Sequence, residues 1–353
     1  MSRVQEFRIP IRLGLIGCGG IVQISHLPCH LFMPDLVQVS AIADPVAANT
    51  EHVGKKANVP RELRYADHRE MLENAEVDAV VIATPHHMHF DHAMQAVEAG
   101  VAVISEKPMA MTLEDADAII EAAKRNQTTY TVIHNFLYSP PMQQALAILR
   151  SGEIGEPAFG RAQSLFSKTG EMLDATVWRN QKQAGGGCIN DTCYHEIYLV
   201  EALVGSPVRY VEARAQTKFF DAEVDDLALL MLEHENGAVS TVSTSWGVRS
   251  YEDACWCEVH SNQGALRVTA RQRSLHLLRH EVGKWQEIEI PELAGLSPGE
   301  RGAIGHRCYF AATFEALANG SELPVSGQQG RHILAIIEAA RKATVERRAI
   351  EVV

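Results

Sequence analysis

Between Ile11 and Asn135 the chain alternates short runs of Val, Ile and Leu with amphipathic stretches, and no other feature narrows the possible folds so far. The runs are IRLGLIG, VQVSAIAD, VDAVVIATP, VAVIS and TYTVIHN. Each is apolar on both faces and about as long as a strand buried inside a parallel sheet. Between them lie segments of helical character, such as DHAMQAVEAG, closed by Gly100, and TLEDADAIIEAAKRN, opened by Thr112 with Asp115 three residues on. A hydroxyl at the cap and an acid in the first turn satisfy the orphan amides of a helix start. Strand–helix alternation of this kind needs right-handed crossovers, and it predicts an α/β fold with a doubly wound parallel sheet.

The pattern changes at HNFLYSPPM, where Pro140 and Pro141 break the chain before the helical stretch MQQALAILRSGEIG. Beyond it come extended runs joined by tight turns. Asn236-Gly237 sits between two strand patterns in DDLALLMLEHENGAVSTVSTSW, a strong hairpin signal. CWCEVHSNQGALRVTA and SLHLLRHEVGKWQEIEI repeat the design. The expectation is a C-terminal α+β domain with a mostly antiparallel, open-faced sheet, and one helix from about Asp191 to Val204. A chain of 353 residues exceeds what one core usually serves, so two domains are predicted, 1–136 and 137–353.

The first strand runs into LGLIGCGGIVQISHLP. Gly17 and Gly19 supply the first two glycines of G-x-G-x-x-G, one for a tight strand-to-helix turn and one for close approach of a pyrophosphate. The third small position is Val22, a departure that costs close helix–strand packing. A second strand then ends in Asp44, farther from the glycines than is usual, which an extended first crossover explains. A carboxylate there accepts hydrogen bonds from the ribose hydroxyls and repels a 2′-phosphate. The residues PVAAN that follow hold no Arg or Lys to neutralise one. The cofactor reading is therefore a dinucleotide, NAD rather than NADP.

Charge and composition exclude other partners. A formal net charge of -12 offers no positive field to nucleic acid or anionic lipid. The N-terminus MSRVQEFRIPIRLG lacks the apolar core of a signal peptide, and no apolar run approaches the ~20 residues of a membrane span. Seven scattered cysteines, an odd number, suit a reducing, cytoplasmic setting rather than a disulfide framework.

Three further motifs converge: VDAVVIATPHHMHFDHAMQAVEAG, then SEKPMA at once, then GGGCINDTCYHEIYLVEALVG. With the opening GCGG, their order and spacing resemble the glucose–fructose oxidoreductase and inositol dehydrogenase (Gfo/Idh/MocA) family over nearly the whole chain. The resemblance implies a nicotinamide-dependent oxidoreductase with a Rossmann domain, acting on a secondary alcohol of a sugar, cyclitol or related polyhydroxy compound. It implies that Lys107, in Glu106-Lys107-Pro108, reaches the substrate beside the nicotinamide, and that Asp191 and His195, in DTCYH, belong to the catalytic group. It extends the cofactor contacts to Gly20, Ile21, Thr84, Pro85, His86, His89 and Glu106. It also implies a homodimer or homotetramer using the open sheet face.

The chemistry stands without the resemblance. Oxidising an alcohol needs a base for the hydroxyl proton as hydride leaves carbon, and histidine is poised for that near neutral pH. A lysine stabilises the developing alkoxide. Asp191 and His195 are four apart, so on a helix they share a face and can contact one substrate together. The bland alternatives are a surface lysine, a helix N-cap aspartate and a core histidine. Trp178 and Arg179, in WRNQKQAGGG, are substrate candidates, with Arg161 and Tyr138 behind them. Many relatives carry arginine where this chain has Leu137, which leaves the particular substrate open.

His86, His87, His89 and His92 crowd one segment and raise the question of a metal. His89 and His92 are three apart, yet no Cys or carboxylate ligands stand at a companion spacing. No metal is expected, there or elsewhere, since the resemblance implies a family that works without one: His86 and His87 are read as lining the cofactor or substrate edge, and His92, with His89, as structural. Two other functions stay open. Some relatives use tightly held NAD in a transient oxidation that breaks a glycosidic bond by elimination. A non-catalytic dinucleotide-binding regulator is the other, although a sensor has no need of the proton-transfer groups Lys107, Asp191 and His195.

Overall fold

The computed structural model describes residues 7–248, 254–269 and 273–353. The first six residues of the N-terminal stretch read for targeting lie outside the described residues. The chain divides into two compact units, one running to Ile133 and taking in His306–Arg331, the other formed by His134–Gly305 and His332–Val353.

The first unit contains strands β1 (Ile11–Ile16), β2 (Val37–Ala43), β3 (Arg64–Tyr65), β4 (Ala79–Ile82), β5 (Ala102–Ser105) and β6 (Tyr130–Val132). They form one sheet in the order β3-β2-β1-β4-β5-β6, every pairing parallel. This is the doubly wound order, with the switch point between β1 and β4. The apolar runs are strands because both faces are covered: all four residues of β4 and of β5 are buried. Only β3, two half-buried residues, went unpredicted, since Arg and Tyr carry no strand signal of their own.

Register decides what the sheet presents. Ile16 pairs with Ala43 on one side and Ile82 on the other, and Ile82 pairs with Ser105. The residues that leave the sheet next, Gly17, Asp44, Ala83 and Glu106, therefore emerge along one edge. Helices α1 (Leu27–Leu31), α2 (Ala47–Lys56), α3 (His68–Asn74), α4 (His89–Glu98) and α5 (Leu113–Arg125) make the crossovers. Thr112 caps α5 by accepting the Asp115 N–H at 3.1 Å, the bond its spacing predicts. A π-helical segment, Val22–His26, precedes α1. The fully buried Val22 opens it, so a wider helical turn stands where the third glycine would have allowed close packing.

The second unit adds α6 (Pro140–Ser151), β7 (Phe159–Leu165), α7 (Cys188–Asp191), α8 (Cys193–Val204), β8 (Val208–Gln216), β9 (Leu227–His234), β10 (Val239–Ser245), β11 (Cys255–His260), β12 (Gly264–Thr269), β13 (Ser274–Arg279), β14 (Lys284–Ile288) and β15 (Ile350–Glu351). Its nine-stranded sheet runs β14-β13-β12-β11-β7-β10-β9-β8-β15, antiparallel except for β10 against β7. The turn at Asn236-Gly237 joins β9 to β10, with Gly237 at φ +83. One face carries α8 against β7, β10 and β11. On the other, Leu229 and Met231 are about half exposed, so the sheet is open-faced.

Helices α9 (Pro298–Asn319) and α10 (Gly327–Glu346) each belong partly to both units. The two-part division at residue 136 thus differs from the observed one in its end point and in the return of 306–331 to the first unit. A linear reading assigns a helix to whatever precedes it, whereas packing assigns it by what its faces bury. Among the described residues no helix is long and apolar enough to cross a membrane.

Candidate active site

Gly17 makes the turn after β1 with φ +90, and a Cβ there would lie 2.6 Å from the Ala83 carbonyl oxygen. Its freedom is required twice over, by the left-handed backbone and by the neighbouring chain. At Gly19 and Gly20 an added Cβ would meet nothing within 4 Å, so the open space a pyrophosphate needs lies over these amides; Ile21 begins the helical stretch beside them. Asp44 is buried and holds the turn: Oδ2 accepts the Cys18 N–H at 2.7 Å, and Oδ1 accepts the Val46 N–H at 2.8 Å. Burial, helped by Asp44, pushes the Cys18 thiol up to about 12, which leaves it inert. The residues fit an NAD-type cofactor.

The histidine-rich loop is a framework. His89 is fully buried, with Nδ1 2.7 Å from the Pro108 carbonyl and Nε2 2.9 Å from that of Thr84. Burial lowers its pKa against the pull of those two carbonyls. A neutral ring donates to one of these carbonyls and lies against the other, and His89 so ties the Thr84-Pro85 loop to the loop after β5. His92 Nδ1 lies 3.1 Å from Thr84 Oγ1, and burial lowers its pKa to about 3. His86 is buried and His87 exposed, so the two do not line one edge together. Glu106 Oε2 accepts the Lys107 N–H at 3.2 Å, while Oε1 lies 2.9 Å from His26 Nε2. Desolvation opposes ionisation of Glu106, but His26 and the nearby Lys107 and His306 overcome it and hold the carboxyl well below the usual range. Lys107 itself is buried, not a surface lysine.

In the second unit, Asp191 and His195 face a cavity of about 180 Å³ with Phe136, Phe166, Thr192 and Trp256. The single helix expected from Asp191 is interrupted at Thr192: Asp191 ends α7 and Cys193 begins α8. The two side chains therefore have separate partners. Arg179 donates from Nε to Asp191 Oδ2 at 3.1 Å, and its guanidinium lies 4.3 Å from the Trp178 ring centre. His195 Nδ1 lies 3.0 Å from the Tyr198 hydroxyl, with Phe136 edge-on at 4.9 Å. Asp191 is not a helix N-cap: Gly187 stands at that position of α7 and Thr192 at that of α8, while Asp225 Oδ2 accepts the Ile189 N–H at 2.8 Å. The three glycines serve the turn before it. A Cβ at Gly186 would sit 2.2 Å from the Arg179 carbonyl oxygen, so only glycine lets the Trp178–Asn180 turn close on α7. Arg161 bonds the buried Glu258 through Nε at 2.6 Å, which gives it a structural task.

Lys168 escaped the sequence reading. It is buried, its Nζ is 3.1 Å from the Trp246 ring centre and 3.1 Å from Asn180 Oδ1, and burial lowers its pKa to about 8 against the pull of Asp191. A lysine three residues past the end of an alternating strand gives no signal of this. His306 was missed likewise; it lies in α9, with its pKa lowered to about 3 by burial.

Residues 11–134 match the oxidoreductase family with an NAD-binding Rossmann fold, and residues 142–267 match the GFO/IDH/MocA C-terminal domain. The chain belongs to the Gfo/Idh/MocA oxidoreductase family. Among its relatives in the family is the D-apiose dehydrogenase of Paraburkholderia graminis, 29% identical over 347 residues, covering 96% of this chain and 88% of that protein. The scyllo-inositol 2-dehydrogenase (NADP(+)) of Bacillus subtilis is 23% identical and covers 96% and 95%. The fold matches that of levoglucosan dehydrogenase in complex with NADH, with a TM-score of 0.87 at 24% identity over 97% of this chain and 99% of that one. This Gfo/Idh/MocA chain is thus an oxidoreductase with the family's NAD-binding fold.

Proposed function

We propose that this chain oxidises a secondary alcohol of a sugar, cyclitol or related polyhydroxy compound with NAD, or runs the reverse reduction. The observation that carries the reading is the cavity in the second unit, which the Asp191 carboxylate and the His195 imidazole both line. When bound, NAD supplies the hydride chemistry. His195, oriented by Tyr198, takes the proton of the substrate hydroxyl. Asp191, steadied by Arg179, fixes substrate hydroxyls as an acceptor. The aromatic rings of Phe136, Phe166 and Trp256 exclude water and suit the apolar faces of a sugar ring. Lys107 contributes positive charge for the oxygen that develops an alkoxide. The carboxylate of Asp44 supports NAD over the 2′-phosphorylated cofactor, and the sugar and inositol dehydrogenases among the relatives support the substrate class.

The test is NADH formation from NAD with a panel of sugars, inositols and sugar acids, run beside His195→Asn and Lys107→Met. Turnover that falls about 10²–10⁴-fold in His195→Asn, with NAD binding retained, supports the assignment. Release of an aglycone without net NADH, or equal turnover in the variant, would sink it.

A further inference from the structure

We propose that His26, Glu106 and His306 form a binding site for a divalent transition-metal ion, of which zinc is the best fit, inside the first unit. This site uses none of the histidines of the 83–93 segment, and nothing in the proposed hydride transfer requires it. His26 comes from the π-helical segment, Glu106 from the end of β5 and His306 from α9. One ligand atom from each lies within 4.8 Å of the other two. Zinc bonds of about 2.0–2.2 Å put tetrahedral ligand atoms roughly 3.3 Å apart, so the three need shifts of about 1–2 Å or less to close on an ion. Two imidazoles and one carboxylate are a donor set that zinc takes readily, with its fourth position left to a small ligand.

The surroundings fit a held ion better than a simple ion pair. His26 is fully buried, and its Nδ1 has no hydrogen-bond partner among the described residues. Its other nitrogen faces Glu106, and its ring lies 5.3 Å from that of His306. Glu106 is oriented from behind, because Oε2 accepts the Lys107 N–H and Oε1 is left facing the histidines. One helical turn beyond His26, the buried His30 has no hydrogen-bond partner on either ring nitrogen among the described residues and packs edge-on against Phe310 and Phe314. A buried, aromatic-walled cluster of this kind excludes competing water. The carboxylate offsets one of the ion's two charges, while Lys107 nearby adds a positive one and sets an upper limit on affinity. An ion there would pin the helix that carries the glycine turn to β5 and α9, and so stabilise the unit.

The experiment needs no turnover, so it stands or falls apart from the proposed reaction. Chelator-stripped full-length protein is titrated with Zn²⁺ by calorimetry and with Co²⁺ by visible absorption, beside His306→Gln and His26→Gln, each checked for folding by far-UV circular dichroism. One equivalent per chain is expected, with an intense four-coordinate cobalt spectrum in the wild type and at least tenfold weaker binding in either folded variant. If neither variant folds, the wild-type cobalt spectrum decides alone. A weak octahedral spectrum, or equal affinity in wild type and variants, overturns the proposal.

Discussion

Asp44 shows how much one side chain can decide. Its carboxylate accepts backbone N–H groups from both sides, Cys18 in the glycine turn and Val46 beyond β2, and Asn49 Nδ2 approaches at 3.3 Å. Under the proposed cofactor reading, these bonds hold the acid ready for the ribose hydroxyls. Hydrogen bonds to a charged group are worth about 1.5–3 kcal/mol, which corresponds to roughly 10–100-fold in affinity. Asp44→Ala is therefore expected to raise KM for NAD at least tenfold and to narrow the preference over NADP. Steady-state kinetics with both cofactors checks this, and an unchanged ratio would remove Asp44 from cofactor selection. The residue stood out in the sequence as an acid at the end of the second strand, after a glycine turn. Lys168 did not, since its burial beneath Trp246 depends on segments distant in sequence.

At the scale of elements, the turn and short helix from Trp178 to Asp191 depend on glycine. An alanine at Gly186 would drive its Cβ into the carbonyl oxygens of Arg179 at 2.2 Å and Gln181 at 2.9 Å, and backbone cannot rotate aside as a side chain can. Gly186→Ala should cost on the order of 1–3 kcal/mol and loosen the Arg179–Asp191 pair, so that thermal midpoint and kcat fall together. Gly302, exposed within α9 with only one atom near its missing Cβ, at 3.9 Å, is the contrast. Gly302→Ala should stabilise by about 0.5–1 kcal/mol, through the smaller backbone freedom of the unfolded chain. Melting curves of the two variants test the pair, and equal shifts would show that crowding at Gly186 has been misjudged. The interruption between α7 and α8 belongs to the same scale. One helix is predicted from about Asp191 to Val204, yet the helix is interrupted at Thr192, and α7, whose Ile189 N–H Asp225 accepts, forms a separate first turn.

For the molecule as a whole, buried neutral histidines make stability sensitive to acid. His92 has its pKa lowered from an ordinary 6.5 to about 3 in the folded state. Between those values the unfolded chain binds a proton that the folded chain refuses, so stability is full above pH 6.5 and is lost as pH falls toward 3. The slope is up to about 1.4 kcal/mol per pH unit for that one group. His92→Gln should flatten the decline by that much between pH 6 and 4.5 in urea unfolding, whatever it does to stability at pH 7; parallel declines would count against a neutral His92. The sequence by itself determined the architecture, because the period of its apolar residues states which faces must be covered, and a glycine turn between strand and helix has a local geometry. It also marked Asp44 as a candidate by its place after the second strand, while Asp191 and His195 were marked by the resemblance of DTCYH to the family's motif. Only the tertiary structure decided the partners: Tyr198 on His195, Arg179 on Asp191, the carbonyls that occupy His89, and the meeting of His26, Glu106 and His306 across as many as 280 residues of chain. Such meetings depend on how faces pack after the elements have formed, and local pattern holds no record of distances between residues far apart in sequence.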